Sequence, residues 1–178
     1  YQTISDLANA NIDEILKLWE GLGYYSRARN LHKTALIVSS DLAGRFPKTV
    51  NGLMALPGIG RSTAGAILSL AFQIPTPILD GNVKRVLTRY HAITGWPGDT
   101  QTEKKLWAFA EKYTPSVQIR NYTQAIMDLG ATLCKRSNPS CSKCPISSGC
   151  VAYNEAIVSK FPEKKVKKVK KQDLHLCV

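Results

Sequence analysis

Apolar residues recur at helical spacing through almost the whole chain, and the strict alternation of half-buried strands is nearly absent. Ile12, Ile15, Leu16 and Trp19 share one side of a short predicted helix behind Asn11, a good cap, with Asp13 and Glu14 in the first turn where the helix dipole favours acids. Gly21 and Gly23 interrupt it. A second helix is predicted from about Tyr25 to Ser40, with Ala28, Leu31, Ala35 and Val38 inward. A short helix over Thr49 to Ala55 meets Leu56-Pro57-Gly58-Ile59-Gly60, and Ser62 to Phe72 follows as a helix apolar almost all round, which belongs at the centre of a domain. Pro75 and Pro77 force an extended link into Asp80-Gly81-Asn82. Beyond it Val83, Val86, Leu87 and Tyr90 form the buried side of a helix. Two more amphipathic helices are expected over Thr102 to Tyr113 and Asn121 to Leu133, the latter through Tyr122, Ala125, Ile126, Leu129 and Leu133. Only Asp173 to Val178 alternates like a strand. The expected fold is all-α.

Composition narrows the class. With 178 residues the chain can bury one good core or two small ones. No apolar run approaches the ~18 residues of a membrane span, and no secretory signal opens the chain. The formal charge of +11 suggests a polyanionic partner, but Lys160 to Lys171 holds seven lysines and one glutamate, so +6 lies in what reads as a solvated linker.

Candidate chemistry clusters in three places. Cys134, Cys141, Cys144 and Cys150 fall within 17 residues, separated by six, two and five. Disulfides are disfavoured in a chain without export signals. Structural zinc usually recruits two paired Cys-x-x-Cys knuckles, and only Cys141 and Cys144 are so paired. Four thiolates on irregular loops suit a cubane iron-sulfur cluster better, although spacing alone leaves zinc open. In Leu56 to Gly60, two glycines allow main-chain N-H groups to face outward at a helix start, an arrangement suited to phosphate, though the same glycines serve an ordinary helical turn equally well. Asp80 is placed to cap the helix beginning near Gly81, as aspartates commonly do. Ser62 and Asp80 both sit at helix starts flanking one short connection, so both can face a cleft beside the glycine turn.

The hairpin, the aspartate some twenty residues later and the Cys-x6-Cys-x2-Cys-x5-Cys tail together resemble the endonuclease III, or helix-hairpin-helix, superfamily of DNA glycosylases. Within it GLGYYSRARNLH at Gly21 to His32, LPGIGRSTAGAILSLAF at Leu56 to Phe72, ILDGNVKRVLTRY at Ile78 to Tyr90 and QAIMDLGATLC at Gln124 to Cys134 are similar to the MutY-type adenine glycosylases. The resemblance spans Gln2 to about Asn154. It implies a helical barrel domain over 1–120 with the hairpin around 50–72, a helix and cluster loop over 121–154 holding [4Fe-4S] on Cys134, Cys141, Cys144 and Cys150, a lysine-rich linker over 155–172, and the start of a carboxy-terminal domain over 173–178.

Carried over by position, the resemblance implies that Asp80 stabilises the cationic sugar as adenine leaves and that Asn82 supports it. Tyr24 matches an aromatic wedged into the duplex beside 8-oxoguanine, with Leu56, Gly58, Gly60 and Arg61 also contacting DNA. Ser62 stands where bifunctional relatives carry a Schiff-base lysine, so base excision without strand cleavage is expected. The implied partner is double-stranded DNA bearing 8-oxoguanine:adenine or guanine:adenine mispairs, met by a monomer in the cytoplasm beside a bacterial nucleoid, or in a eukaryotic nucleus or mitochondrion. The family's general-acid glutamate belongs upstream of Tyr1. Glu14, Glu103 and Glu111 read as solvated-face residues and Glu20 matches no catalytic position, so these residues alone are expected to lack activity. Rival readings are a pyrimidine-damage glycosylase with lyase activity and a non-catalytic iron-sulfur DNA-binding module. Trp19, Trp96 and Trp107 are expected in the core or at a domain joint, and His32 and His91 partly exposed on helices.

Overall fold

The computed structural model describes residues 1–165, and all regular structure within them is helical. The expected strand at Asp173 to Val178, Cys177 and part of the lysine run lie outside the described residues. In chain order the helices are α1 (Ile4–Asn9), α2 (Ile12–Leu18), α3 (Ser26–Ser40), α4 (Val50–Met54), α5 (Arg61–Ala71), α6 (Gly81–Tyr90), α7 (Thr100–Tyr113), α8 (Ile119–Asp128) and α9 (Val151–Asn154). Among the described residues, no helix is long and apolar enough to cross a membrane.

Most helices start where a short polar side chain satisfies the free amides of the first turn. Asn11 accepts from the Asp13 amide at 2.8 Å, and Asp99 accepts from Gln101 and Thr102, which moves the start of α7 two residues earlier than its apolar pattern suggests. Helix α1 escaped the sequence reading because it is only six residues long. Its signal was nevertheless there: Thr3 and Asp6 close a reciprocal capping box, at 3.1 and 2.9 Å. Helix α8 ends early, and Leu129–Leu133 continues as a π turn.

Helix α5 lies between two apolar clusters, which explains its lack of a polar face. Ala64 and Leu68 pack with Val38, Leu53 and Leu56 on one side, and Ala66 packs with Ile78, Leu79, Val83, Leu87 and Leu106 on the other. Two inward stripes differ from expectation. Leu31 on α3 is 44% exposed, and buried Thr34 takes the inward position, donating its hydroxyl to the Pro57 carbonyl at 3.2 Å. On α8 the apolar residues Tyr122, Ala125 and Ile126, with Leu129 of the π turn, line an open groove, while Ile119 and Thr123 are the buried ones. Trp107 packs beside the second cluster and Trp19 is half-buried, but Trp96 is exposed. His32 and His91 are both half-buried, His91 stacked on Phe109 with ring centroids 3.9 Å apart.

Candidate functional site

The link between α5 and α6 is laid along one face of α5. Ser62, Gly65 and Ser69 recur at positions one and two turns apart, so they point the same way. Ser62 Oγ accepts from the Leu79 amide at 2.9 Å, Ser69 Oγ donates to the Thr76 carbonyl at 2.9 Å, and Gly65 lets the Pro77 carbonyl approach where a Cβ would collide. Pro75 and Pro77 keep the intervening backbone extended. The segment therefore delivers Asp80 one residue beyond an anchor on Ser62.

Asp80 caps α6, its Oδ1 accepting from the Val83 amide at 2.8 Å, and its side chain is only partly buried. One carboxylate oxygen thus holds the helix start, while the other has no hydrogen-bond partner among the described residues. At the start of α5 the cap is Gly60, which offers no side chain to the first-turn amides. Gly58 has φ +76°, and a Cβ there would lie 2.6 Å from Asn30 Nδ2, so the turn requires glycine on both conformational and steric grounds. Among the described residues nothing lies within 4 Å of a Cβ at Gly60, leaving open space before the first-turn amides. The sequence-predicted Ser62, Asp80, Gly58 and Gly60 are thus brought to one neighbourhood.

Three other predicted contact residues behave differently from one another. Tyr24 is 82% exposed with φ +50°, held outward with Arg27 5.8 Å from its ring. Leu56 is 4% exposed within the core, so only its main chain faces the turn. Arg61 lies 3.8 Å from the Trp107 ring centroid and pairs with Glu111 at 2.7 Å, while Glu103 pairs with Lys84 at 2.6 Å.

Asn82 leads away from Asp80 toward the cysteines. Its Oδ1 accepts from Arg85 Nη2 at 2.7 Å, and the same guanidinium donates to the carbonyls of Gly130 and Cys134, both at 2.7 Å. Gly130 sits so close to Asn82 that a Cβ would fall 2.6 Å from the Asn82 Cβ. The π turn brings the Gly130 carbonyl to Arg85, and π turns recur at functional sites.

Cys134, Cys141, Cys144 and Cys150 line one cavity together with Arg89, Tyr90 and Leu133. All four are free and partly buried. Burial, then the neighbouring Cys134 and Cys150, pushes the Cys141 thiol above its ordinary value, while Arg89 pulls it down. Burial and the charges of Cys134 and Cys144 likewise raise Cys150. Among the described residues, no three His, Cys, Asp or Glu side chains close on a point as ligands of one ion do. Four thiols lining one cavity are a donor set that either a zinc ion or a cubane cluster can take. A single zinc at about 2.3 Å from each sulfur demands tight convergence, whereas a cubane offers each thiolate its own iron.

A family model for HhH-GPD superfamily base excision DNA repair proteins matches residues 1–112. The chain belongs to that superfamily. As an HhH-GPD chain it is 46% identical over 169 residues to an adenine DNA glycosylase of Buchnera aphidicola subsp. Schizaphis graminum, covering 95% of this chain and 49% of the relative. The adenine DNA glycosylase of Homo sapiens is 45% identical over 153 residues, covering 85% of this chain and 28% of the relative. The chain thus spans half the length or less of these curated relatives. Among solved structures, a thermostable thymine-DNA glycosylase superposes with a TM-score of 0.76 at 31% identity, covering 87% of this chain and 71% of that one. A non-covalent endonuclease III-DNA complex gives 0.71 at 26%, covering 88% and 72%. The all-α HhH-GPD fold expected from the motifs is the fold observed. The sequence reading overlooked Arg85 and Arg89, although Arg89, three residues after Val86, falls on the inward stripe of α6 where a cation is out of place.

Proposed function

We propose that this chain forms the DNA-gripping and sugar-stabilising part of a monofunctional adenine DNA glycosylase that acts in base excision repair on adenine opposite 8-oxoguanine or guanine. The observation that carries this reading is the Ser62 to Leu79 hydrogen bond, which sets a capping carboxylate beside a glycine turn with unsatisfied amides.

Adenine within a duplex cannot be reached, so the nucleotide must leave the stack. The amides of the Gly58 to Gly60 turn and the start of α5 suit a backbone phosphate held close, and exposed Tyr24 suits insertion into the gap or against the opposite base. As the bond to adenine breaks, positive charge builds on the deoxyribose. The free oxygen of Asp80 would face that charge, and a fixed carboxylate acts most strongly where water is excluded. Asn82 and Arg85 hold the first turn of α6 against the π turn, which keeps Asp80 from drifting. Ser62 Oγ is already engaged with Leu79 and cannot form the imine that a lysine there would form. Protonation of the leaving base falls to a group other than the glutamates present. Glu103 and Glu111 are held in ion pairs, and Glu14, Glu20, Glu155 and Glu163 are exposed. These 178 residues alone are therefore expected to bind DNA without releasing adenine.

Cys134, Cys141, Cys144 and Cys150 would hold a [4Fe-4S] cluster, which when bound braces the loop and offers a one-electron couple. Their shared cavity and mutual electrostatic coupling support that assignment.

The test is single-turnover excision by the natural full-length protein from duplexes holding 8-oxoguanine:adenine or an oxidised pyrimidine, with borohydride present. Adenine release without a trapped adduct is expected. Pyrimidine excision with a covalent protein-DNA product would overturn the proposal.

A further inference from the structure

Arg89 is an ionised side chain in an unusual position. It is 4% exposed, and among the described residues no carboxylate lies within salt-bridge distance of it. Its Nε donates to the Phe161 carbonyl at 3.0 Å, Nη1 to the Lys135 carbonyl at 2.7 Å and to Cys134 Sγ at 3.4 Å, and Nη2 to the Arg136 carbonyl at 3.3 Å. Its own carbonyl accepts from Cys150 Sγ at 3.6 Å. Three carbonyls and the Cys134 sulfur accept from its N-H groups, and among the described residues nothing compensates the net charge. Buried charge without an opposite charge is costly, and guanidinium cannot shed its proton to escape the cost. Among the described residues the cavity it lines is where compensating negative charge can gather, because four thiolates around a [4Fe-4S] core leave roughly two net negative charges.

We propose that Arg89 is the internal counter-cation of the cluster, a positioning residue whose buried charge holds the cluster in the protein and raises its reduction potential. This rests on the cluster reading given above. Cluster and guanidinium then depend on each other: the cluster supplies the opposite charge that Arg89 otherwise lacks among the described residues, and Arg89 offsets about half of the cluster's net charge. Removing the cation disfavours the more negative, reduced state, so the potential must fall. In iron-free protein the sign reverses, since the cost of a buried charge without a counter-charge then outweighs the carbonyl hydrogen bonds that Arg89 makes.

The experiment compares the full chain as wild type, Arg89→Lys and Arg89→Met after anaerobic loading with iron and sulfide. The readouts are iron and sulfide per chain, iron loss to a chelator, midpoint potential, and melting of loaded and iron-free forms. Arg89→Lys is expected to load fully near the wild-type potential. Arg89→Met should lose iron at least tenfold faster and titrate at a lower potential, yet melt no lower than wild type when both are iron-free. An Arg89→Met chain with unchanged iron retention and potential overturns the proposal. So does one that is destabilised equally, or fails to fold, with and without iron, for Arg89 would then be only a brace for three carbonyls. A wild-type chain that takes up zinc and no iron overturns the cluster reading, and the role of Arg89 with it.

Discussion

On the proposed reading, Asp80→Asn separates two roles that one side chain combines. As a cap, Asp80 accepts from the Val83 amide at 2.8 Å, and asparagine supplies an equivalent oxygen in the same place. Asn and Asp rank alike at this position, so folding stability should change by no more than about 0.5 kcal/mol. As an electrostatic group the change is large. A full negative charge about 4 Å from a developing sugar cation, at an effective dielectric of about 20, is worth roughly 4 kcal/mol. That corresponds to about a thousandfold in rate. Asp80→Ala removes both roles and should lose a further ~1 kcal/mol of stability, visible as a melting shift of about 2–4 °C. The assay is single-turnover adenine release by the natural full-length protein from an 8-oxoguanine:adenine duplex, run beside thermal melts of both variants. An Asp80→Asn protein that releases adenine within about threefold of the wild-type rate would refute the electrostatic argument, since the charge is then irrelevant to the barrier.

Gly58→Ala should destabilise the fold by about 1–2 kcal/mol from its positive φ alone, with the Asn30 collision added, and weaken DNA binding; Gly60→Ala meets no neighbour and should weaken binding with a much smaller melting change, both checked by melts and fluorescence anisotropy. Because Tyr24 is so exposed, Tyr24→Ser should alter stability by less than about 0.5 kcal/mol. Its adenine release from the mispair should nevertheless fall about tenfold, and an unchanged single-turnover rate would remove the wedge role. The raised thiols of Cys141 and Cys150 bind protons more tightly folded than unfolded, so the stability of metal-free protein should be greatest below the ordinary thiol value of about 8.5 and decline as pH rises above it. Metal uptake at neutral pH should release protons, measurable in a weakly buffered titration, because thiolates are the ligands.

The helices were legible because each long element has a period, and several also have a polar start. Asn11, Thr49 and Asp80 cap where the expected helices begin, and α5 revealed its central place by its nearly continuous apolar surface. The glycine turn, Ser62 and Asp80 were legible as a group because their chemistry is local in the chain. Leu31 and Ala125 misled because periodicity identifies an apolar stripe without saying whether anything covers it. Arg85 and Arg89 were overlooked for the opposite reason. Their partners beyond α6 are 45 to 72 residues away, at Gly130, Cys134 and Phe161 among others, and no window of local sequence contains both ends of such contacts.

The three anchors of the 76–79 segment on α5 have a consequence for how damage is located. Ser62, Gly65 and Ser69 bind the route to Asp80 onto the same rigid rod whose beginning carries the glycine turn. On the proposed reading, the gripped phosphodiester and the reacting sugar are two marks on one ruler. A strand that slips by a nucleotide cannot be followed by a bending loop, so faulty register is rejected by distance before any atom of the base is inspected.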